Sequence, residues 1–424
     1  MPTPSAHCAL RPSPFEPRPS PPPRELTPRA APAARTASLF VLGAGVVGKE
    51  VLEQVTALPP QTRPPFVDLR VVGVVTRRGG AFDVRGVRRA VMAELIAARS
   101  RHAGTARACG GIAGPAPNPL ELPARATQLD TLARLGDTVL VDCTAADGME
   151  TVYEEALARG LHVVTANKKP LVAPREQVAR IFAAAERSGA SFRYEATVGA
   201  GLPIIGTLQG LVRTGDHVRS IECALSGTLG FITNELARGA RLSEAVLAAR
   251  SAGYTEPDPR EDLAGTDVAR KAVIVAREVG IPIELADVSL TPLVPADALA
   301  GDDLDASLRR LDADFARRSE ALRARGEKLV YLAEIHAGAP GSGRPAEVRV
   351  GPRAVPLDHP AASLDGSSAL IAITSDRYPS APLVVRGAGA GGPVTATAVL
   401  SDVFLSLQSS RRHGVVGAHG GPLA

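Results

Sequence analysis

Apolar residues fall into two spacings along this chain. Short, mostly apolar runs at 38–42, 69–76, 138–142 and 162–166 have the length of strands buried on both faces. Between the last two, residues 148–159 repeat apolar positions at helical spacing. Strands alternating with helices predict a parallel sheet covered on both sides. From about residue 204 the character changes to longer strands, helices and turns, including apolar segments at 220–225 and 329–335, which predicts a second, α+β lobe with a mixed or antiparallel sheet. Near the end, 382–386 leads into a glycine-rich run at 387–392 and then an apolar helical pattern through Phe404.

The turn after the first strand reads Gly43-Ala44-Gly45-Val46-Val47-Gly48. The first glycine permits the turn, the second lets a pyrophosphate approach the backbone, and the third permits close helix packing, while the helix N-terminus faces the phosphates. Strand before and helix after are the context this motif requires, and they predict a Rossmann-type doubly wound sheet that binds a dinucleotide. The second strand ends Thr76-Arg77-Arg78, with no carboxylate for a ribose 2′-hydroxyl. Guanidiniums there favour the 2′-phosphate of NADP(H) over NAD(H), against the alternative of two solvated surface arginines.

Composition narrows the class. A chain of 424 residues is longer than one core sustains, so two lobes are expected, and 45% apolar with 22% charged residues describes a globular protein. A net charge of +4 with dispersed arginines argues against nucleic acid as a partner. Cys8, Cys109, Cys143 and Cys223 are far apart, as expected of reduced cytoplasmic thiols, and predict neither disulfide nor zinc site. No apolar run approaches the ~20 residues that span a bilayer. The expected organisation is a Pro/Arg-rich disordered extension at 1–37, the nucleotide lobe at 38–200, the second lobe at 201–384, a C-terminal segment at 385–408 and a tail at 409–424. Glu16, Glu25 and the many prolines weigh against a targeting peptide in the extension. The Arg/Ala-rich stretch 83–130 reads as a helix and a long loop.

The most informative stretch is 253–271, GYTEPDPREDLAGTDVARK. It opens as a proline-constrained loop carrying Glu256, Asp258, Glu261 and Asp262, then enters a helix near Thr266, the expected N-cap. Val268, Ala272, Val275 and Val279 form its buried stripe, and Gly280 with Pro282 ends it. Asp267 and Lys271 share one face. Alone they would be an ordinary surface ion pair. Beside so many carboxylates they suit an ammonium-bearing ligand, with a lysine able to protonate an alkoxide formed by hydride attack. Lys168, in Thr165-Ala-Asn-Lys-Lys169, follows a parallel strand and so projects from the edge where open α/β sheets bind ligands; its plainer reading is a solvated loop lysine. Residues 195–203, EATVGAGLP, read as a carbonyl-rich loop with one carboxylate able to hold a small hard cation, or as a hinge.

GAGVVG, TANKK, EATVGAGLPII, SGTLGFITNEL, the 253–271 segment and RGAGAGG, in this order, resemble the homoserine dehydrogenases from about residue 38 to 405. The resemblance implies an NADP(H)-dependent reduction of L-aspartate 4-semialdehyde to L-homoserine in a homodimer. It implies Lys271 as proton donor, Asp267 contacting homoserine, Glu256 binding the substrate amino group, Asp262 supporting the pocket, and Lys168 beside cofactor and substrate. Thr228 would lie near nicotinamide and substrate, with Thr144, Gly253 and Gly391 lining the cofactor, the last because the family's C-terminal segment returns to the nucleotide lobe. Glu195 and the carbonyls of Val198, Ala200 and Leu202 would hold a monovalent cation, usually sodium. Glu261 departs from the aspartate common in relatives, 83–130 aligns with nothing, and the chain ends soon after Phe404, so feedback through a regulatory ACT domain is not expected. Two other classes compete: aldehyde oxidation through a thioester on Cys143, and a non-catalytic NADP-binding sensor.

Overall fold

A computed structural model describes residues 35–58, 67–77, 79–97, 124–338 and 345–415. The first lobe runs β1 (Arg35–Leu42), α1 (Val46–Ala57), β2 (Val67–Thr76), β3 (Gly79–Phe82), α2 (Arg89–Ala97), α3 (Ala124–Ala133), β4 (Thr138–Asp142), α4 (Met149–Ala158), β5 (His162–Thr165), α5 (Arg175–Ser188) and β6 (Phe192–Arg193). The second continues with α6 (Ile204–Arg213), β7 (Val218–Ala224), α7 (Gly227–Arg238), α8 (Leu242–Ser251), α9 (Pro259–Leu263), α10 (Thr266–Glu278), β8 (Ser289–Leu290), α11 (Ala296–Ala300) and α12 (Leu304–Ala324). Strands β9 (Glu327–His336), β10 (Glu347–Pro356), β11 (Ser368–Ser375) and β12 (Leu383–Ala388) and helix α13 (Gly392–Val415) complete it.

The first sheet is ordered β3-β2-β1-β4-β5-β6 and is parallel except for β3. Every residue of β4 and β5 is buried, because helices cover both faces. Leu39, Val41, Val139 and Val164 pack with α1 and α13 on one side, and Phe40, Leu140 and Val163 with α4 and α5 on the other. Each such side chain contributes roughly 1.5–3 kcal/mol when taken out of water, so the apolar residues of these strands are the sheet's main source of stability. The switch point between β1 and β4 is where this topology places a ligand.

The second sheet, β12-β11-β7-β9-β10-β8, is antiparallel apart from the β10/β8 pair. Helices α6, α7, α8, α10 and α12 pack on one face and form its largest core, with Ile221, Cys223, Ala333 and Ile335 contributed by the strands. Helix α13 then leaves this lobe and buries Ala396, Val399, Val403 and Leu407 in the first.

Several local expectations are corrected. The first strand starts at Arg35 rather than Ser38, since Arg35 is held by an ion pair to Asp137 (2.7 Å) and by the Leu407 carbonyl (3.0 Å). Hairpin strand β3 went unpredicted because Gly79-Gly80 carry no side-chain pattern; Phe82 fixes it edge-on to Phe40. Part of the expected acidic loop is α9, capped by the Asp258 side chain on Arg260 N–H (3.0 Å). Gly265, left-handed at φ 75°, stands at the N-cap of α10, and Thr266 is the first helical residue. The backbone of α13 stays helical to Val415, past the expected start of the tail at 409, no proline interrupting it. Within 83–130, α2 and the start of α3 are described, and 98–123 lie outside the described residues, as do 1–34, Arg78, Cys8, Cys109 and 416–424. Among the described residues no helix is long and apolar enough to cross a membrane, and Cys143 and Cys223 are both free thiols.

Candidate active site

The glycine turn lies at the switch point. A Cβ on Gly48 would stand 1.8 Å from the Gly43 carbonyl oxygen, and one on Gly43 would meet Thr144 Cγ2 at 2.9 Å, so the turn, α1 and the loop after β4 touch backbone to backbone. Gly45 caps α1 without a side chain and no acidic residue occupies the first turn, which leaves its amides and dipole facing outward for phosphate. Val46 is exposed, and Gly392, beside Gly391 at the start of α13, packs against it closely enough that a Cβ would lie 3.0 Å from Val46 Cγ1. The C-terminal segment thus reaches the mouth of this crevice. Arg77 is exposed in the turn after β2, and Val75 accepts the Gly43 N–H at 2.8 Å, so that turn adjoins the glycine loop.

Beneath the crevice lies a buried polar knot. Asp142, fully buried at the end of β4, accepts the Thr144 N–H (2.7 Å), the Tyr153 hydroxyl (2.5 Å) and the Asn167 amide (3.3 Å). Thr165 accepts the Asn167 N–H at 2.9 Å, and Asn167 also donates to Ala146 O at 2.9 Å. One carboxylate therefore braces both the Thr144 loop and the loop that carries Lys168.

Lys168 and Lys271 converge on one carboxylate. Lys168 Nζ lies 3.1 Å from Asp267 Oδ1, and Lys271 Nζ lies 2.8 Å from Asp267 Oδ2. Lys271 also donates to the Leu225 carbonyl at 2.7 Å, and its side chain is only 12% exposed. Burial lowers the Lys271 ammonium from its ordinary range, Asp267 opposes that, and Lys168 adds to it. Burial would raise the Asp267 carboxyl, but the ammoniums of Lys271 and Lys168 overcome this and hold it well below the usual carboxylate range. The result is a shielded lysine poised to exchange a proton.

The acidic loop faces this array. Asp262 accepts the Glu256 N–H at 2.8 Å and stands next to Thr228, whose hydroxyl donates to Tyr254 O at 2.6 Å. Burial, then mutual repulsion with Asp262, Glu261 and Asp267, raises the Glu256 carboxyl, and burial likewise raises Asp262. Carboxylates strained in this way gain from a cationic ligand. Asp258 is spent on capping α9, and Arg260 locks the loop onto the Leu299 and Gly301 carbonyls at 2.9 and 2.7 Å. Gly253, left-handed at φ 72°, turns the chain out of α8 into this loop.

The loop of Glu195, Val198, Ala200 and Leu202 forms the junction of the lobes. Glu195 accepts the Ile205 and Gly206 N–H groups at 2.7 and 2.8 Å, capping α6, whose own N-cap residue Pro203 has nothing to offer. Burial raises the Glu195 carboxyl against the lowering effect of those amides. Asp402 on α13 accepts the Glu195 N–H at 2.8 Å. Ala200, at φ 57°, is the one non-glycine with positive φ among the described residues, and strain of this kind gathers at functional loops. The Leu202 carbonyl accepts the Ile204 N–H at 2.8 Å.

Cys143 does not suit a nucleophile. Burial, then Asp142, pushes its thiol far up, and His162, the nearest histidine in sequence, is buried at the other end of the sheet accepting the Ser191 N–H at 2.9 Å. Asp142, Asn167 and Tyr153 brace the site's loops, and sequence reading missed all three. Only Asp142, an acid ending a wholly buried strand, left a signal.

Fold and site together define the class of two-lobed pyridine-nucleotide dehydrogenases. Residues 43–195 match the homoserine dehydrogenase NAD binding domain and 203–404 match homoserine dehydrogenase itself. A homoserine dehydrogenase of Emericella nidulans is 40% identical over 282 residues, covering 63% of this chain and 75% of that one. The chain belongs to the homoserine dehydrogenase family. A chloroplastic bifunctional aspartokinase/homoserine dehydrogenase of Zea mays is 37% identical over 375 residues, which is 87% of this chain but only 38% of the relative's length. A solved hyperthermophilic archaeal homoserine dehydrogenase in complex with NADPH shares the fold at a TM-score of 0.63 and 21% identity, over 88% of this chain and 98% of that one.

Proposed function

We propose that this chain interconverts L-aspartate 4-semialdehyde and L-homoserine with a nicotinamide cofactor, NADP(H) in preference to NAD(H). The observation that carries the reading is the shielded Lys271 ammonium, paired with Asp267 and the Leu225 carbonyl at the lip of the dinucleotide crevice. An ammonium has three donors, and two are engaged here, so the third is available to a carbonyl oxygen. Bound cofactor supplies the hydride. Lys271 protonates the developing alkoxide; Asp267 keeps that ammonium placed, while burial and then Lys168 lower its proton affinity. Glu256 takes the substrate ammonium, Asp262 and Thr228 holding its loop. Gly43, Ala44, Gly45, Val46, Val47 and Gly48 cradle the pyrophosphate, with Thr144, Gly253 and Gly391 at its flanks and Arg77 at the 2′-phosphate. The exposed Arg77 beside the glycine loop, and the NADPH of the archaeal relative, support that preference.

The strained, carbonyl-rich loop supports a sodium-class cation held by Glu195 and the Val198, Ala200 and Leu202 carbonyls. Free thiols at Cys143 and Cys223 fit a reducing, cytoplasmic compartment, and the family resemblance implies a homodimer. Incubating the purified chain with L-homoserine and NADP or NAD tests the activity: cofactor reduction that depends on homoserine supports it, and cofactor binding without turnover favours a sensor.

A further inference from the structure

Arg277 lies about three turns beyond Asp267 on α10. Its guanidinium is 14% exposed and donates from Nη1 to the Leu171 and Ala173 carbonyls at 2.7 and 3.0 Å, from Nη2 to Glu284 at 2.8 Å, and from Nε to the Ile283 carbonyl at 3.0 Å. Leu171 and Ala173 belong to the segment that opens with Lys168, and the Leu171 N–H donates to the Lys168 carbonyl at 3.0 Å. Glu284 uses its other oxygen to accept the Arg175 N–H at 3.1 Å, where α5 begins. The segment from Lys168 to Arg175 is therefore fastened to α10 twice: at one end by Lys168 on Asp267, at the other by Arg277 and its carboxylate.

We propose that Arg277 is a positioning residue for the reaction, fixing the Lys168 segment against α10 so that Lys168 meets Asp267 beside Lys271. The inference rests on the proposed role of Lys271. The two fastenings differ in strength. The Lys168–Asp267 pair is partly exposed, and such pairs hold long side chains weakly. Charge-assisted bonds from a buried, planar guanidinium to two carbonyls across the junction are directional and much firmer. The Nε bond to Ile283 and the Nη2 bond to Glu284 serve the turn after α10, but closing that turn does not explain the Nη1 contacts to Leu171 and Ala173. Rigid placement matters because an ångström of misplacement at a reacting group can cost on the order of a hundredfold in rate.

A double-mutant cycle of Lys168→Met and Arg277→Met tests this, reading kcat and KM for homoserine oxidation, with NADPH affinity by fluorescence as the check of a folded nucleotide lobe. Arg277→Met should lower kcat on the order of tenfold to a hundredfold with a smaller change in the KM values. In the Lys168→Met background it should cost no more than about twofold, because the contact it protects is already gone. The pH midpoint of oxidation should move up in Arg277→Met, since Lys168 leaves the surroundings of Lys271, which Asp267 and Asp262 also face. Losses that multiply across the cycle, or an unmoved midpoint, overturn the inference. If Arg277→Met fails to fold, Arg277→Lys and Glu284→Gln pass through the same cycle, where the same two results support or overturn it. Turnover that survives Lys271→Ala would sink the proton-donor reading instead, and is measured separately.

Discussion

Lys168 and Asp267 meet at 3.1 Å although one follows a strand of the first sheet and the other stands in the first turn of a helix packed on the second, so the ion pair exists only when both lobes are folded and apposed. Its two members act on Lys271 in opposite senses, Asp267 raising and Lys168 lowering an ammonium that burial has already lowered.

Lys271→Ala should lower kcat by about a hundredfold to ten-thousandfold, the usual worth of a positioned proton donor, with a much smaller change in the KM for homoserine. Steady-state kinetics with homoserine and NADP check it. A variant near wild-type turnover removes Lys271 from the role.

The pH profile follows from the direction in which Lys271 is shifted. Its ammonium lies below the ordinary 10.5, so semialdehyde reduction should fade, and homoserine oxidation rise, at a pH lower than a free lysine would give. Asp267→Asn removes the influence that raises Lys271 and should move the midpoint further down. Lys168→Met removes one that lowers it and should move the midpoint up. Shifts of the same sign would contradict the arrangement.

Arg77→Ala should raise the KM for NADPH roughly tenfold to a hundredfold, the cost of a lost charge-assisted bond to phosphate, and leave that for NADH unchanged. Equal effects on both cofactors would make Arg77 an ordinary surface residue.

Gly48→Ala drives a Cβ into the Gly43 carbonyl, 1.8 Å away, with only backbone to yield. Overpacking of this kind costs roughly 1–3 kcal/mol, and the glycine turn must open. A lower Tm together with weakened NADPH binding in fluorescence titration is expected; unchanged binding would deny the turn its role.

Removal of sodium, with a bulky organic cation replacing it, should lower turnover and Tm in the wild type. Glu195→Gln should blunt both responses. Since Glu195 also caps α6, this variant should lose about 1 kcal/mol of stability in any medium, and the difference between the two media isolates the cation.

Much of the fold and of the site is legible in the sequence. Strands β4 and β5 announce themselves because both their faces are covered, and Asp267 and Lys271 pair as their spacing of four on one helix requires. Local rules reach no further than local neighbours. Nothing near Lys168 points to Asp267, and Arg277 looks like any arginine at a helix end until the carbonyls of Leu171 and Ala173 come beside it. Hairpin strand β3 stays hidden because its glycines have no side chains to alternate.

Helix α13 supplies Ala396, Val399, Val403 and Leu407 to the core under β1 and β4, so the nucleotide lobe is sewn from both ends of the described chain. During synthesis its strands leave the ribosome long before the helix that covers them. The part of that sheet face which α1 does not cover stays bare until residues 392–407 have been made, and a nascent chain cut short before Gly392 would expose it to chaperones or proteases.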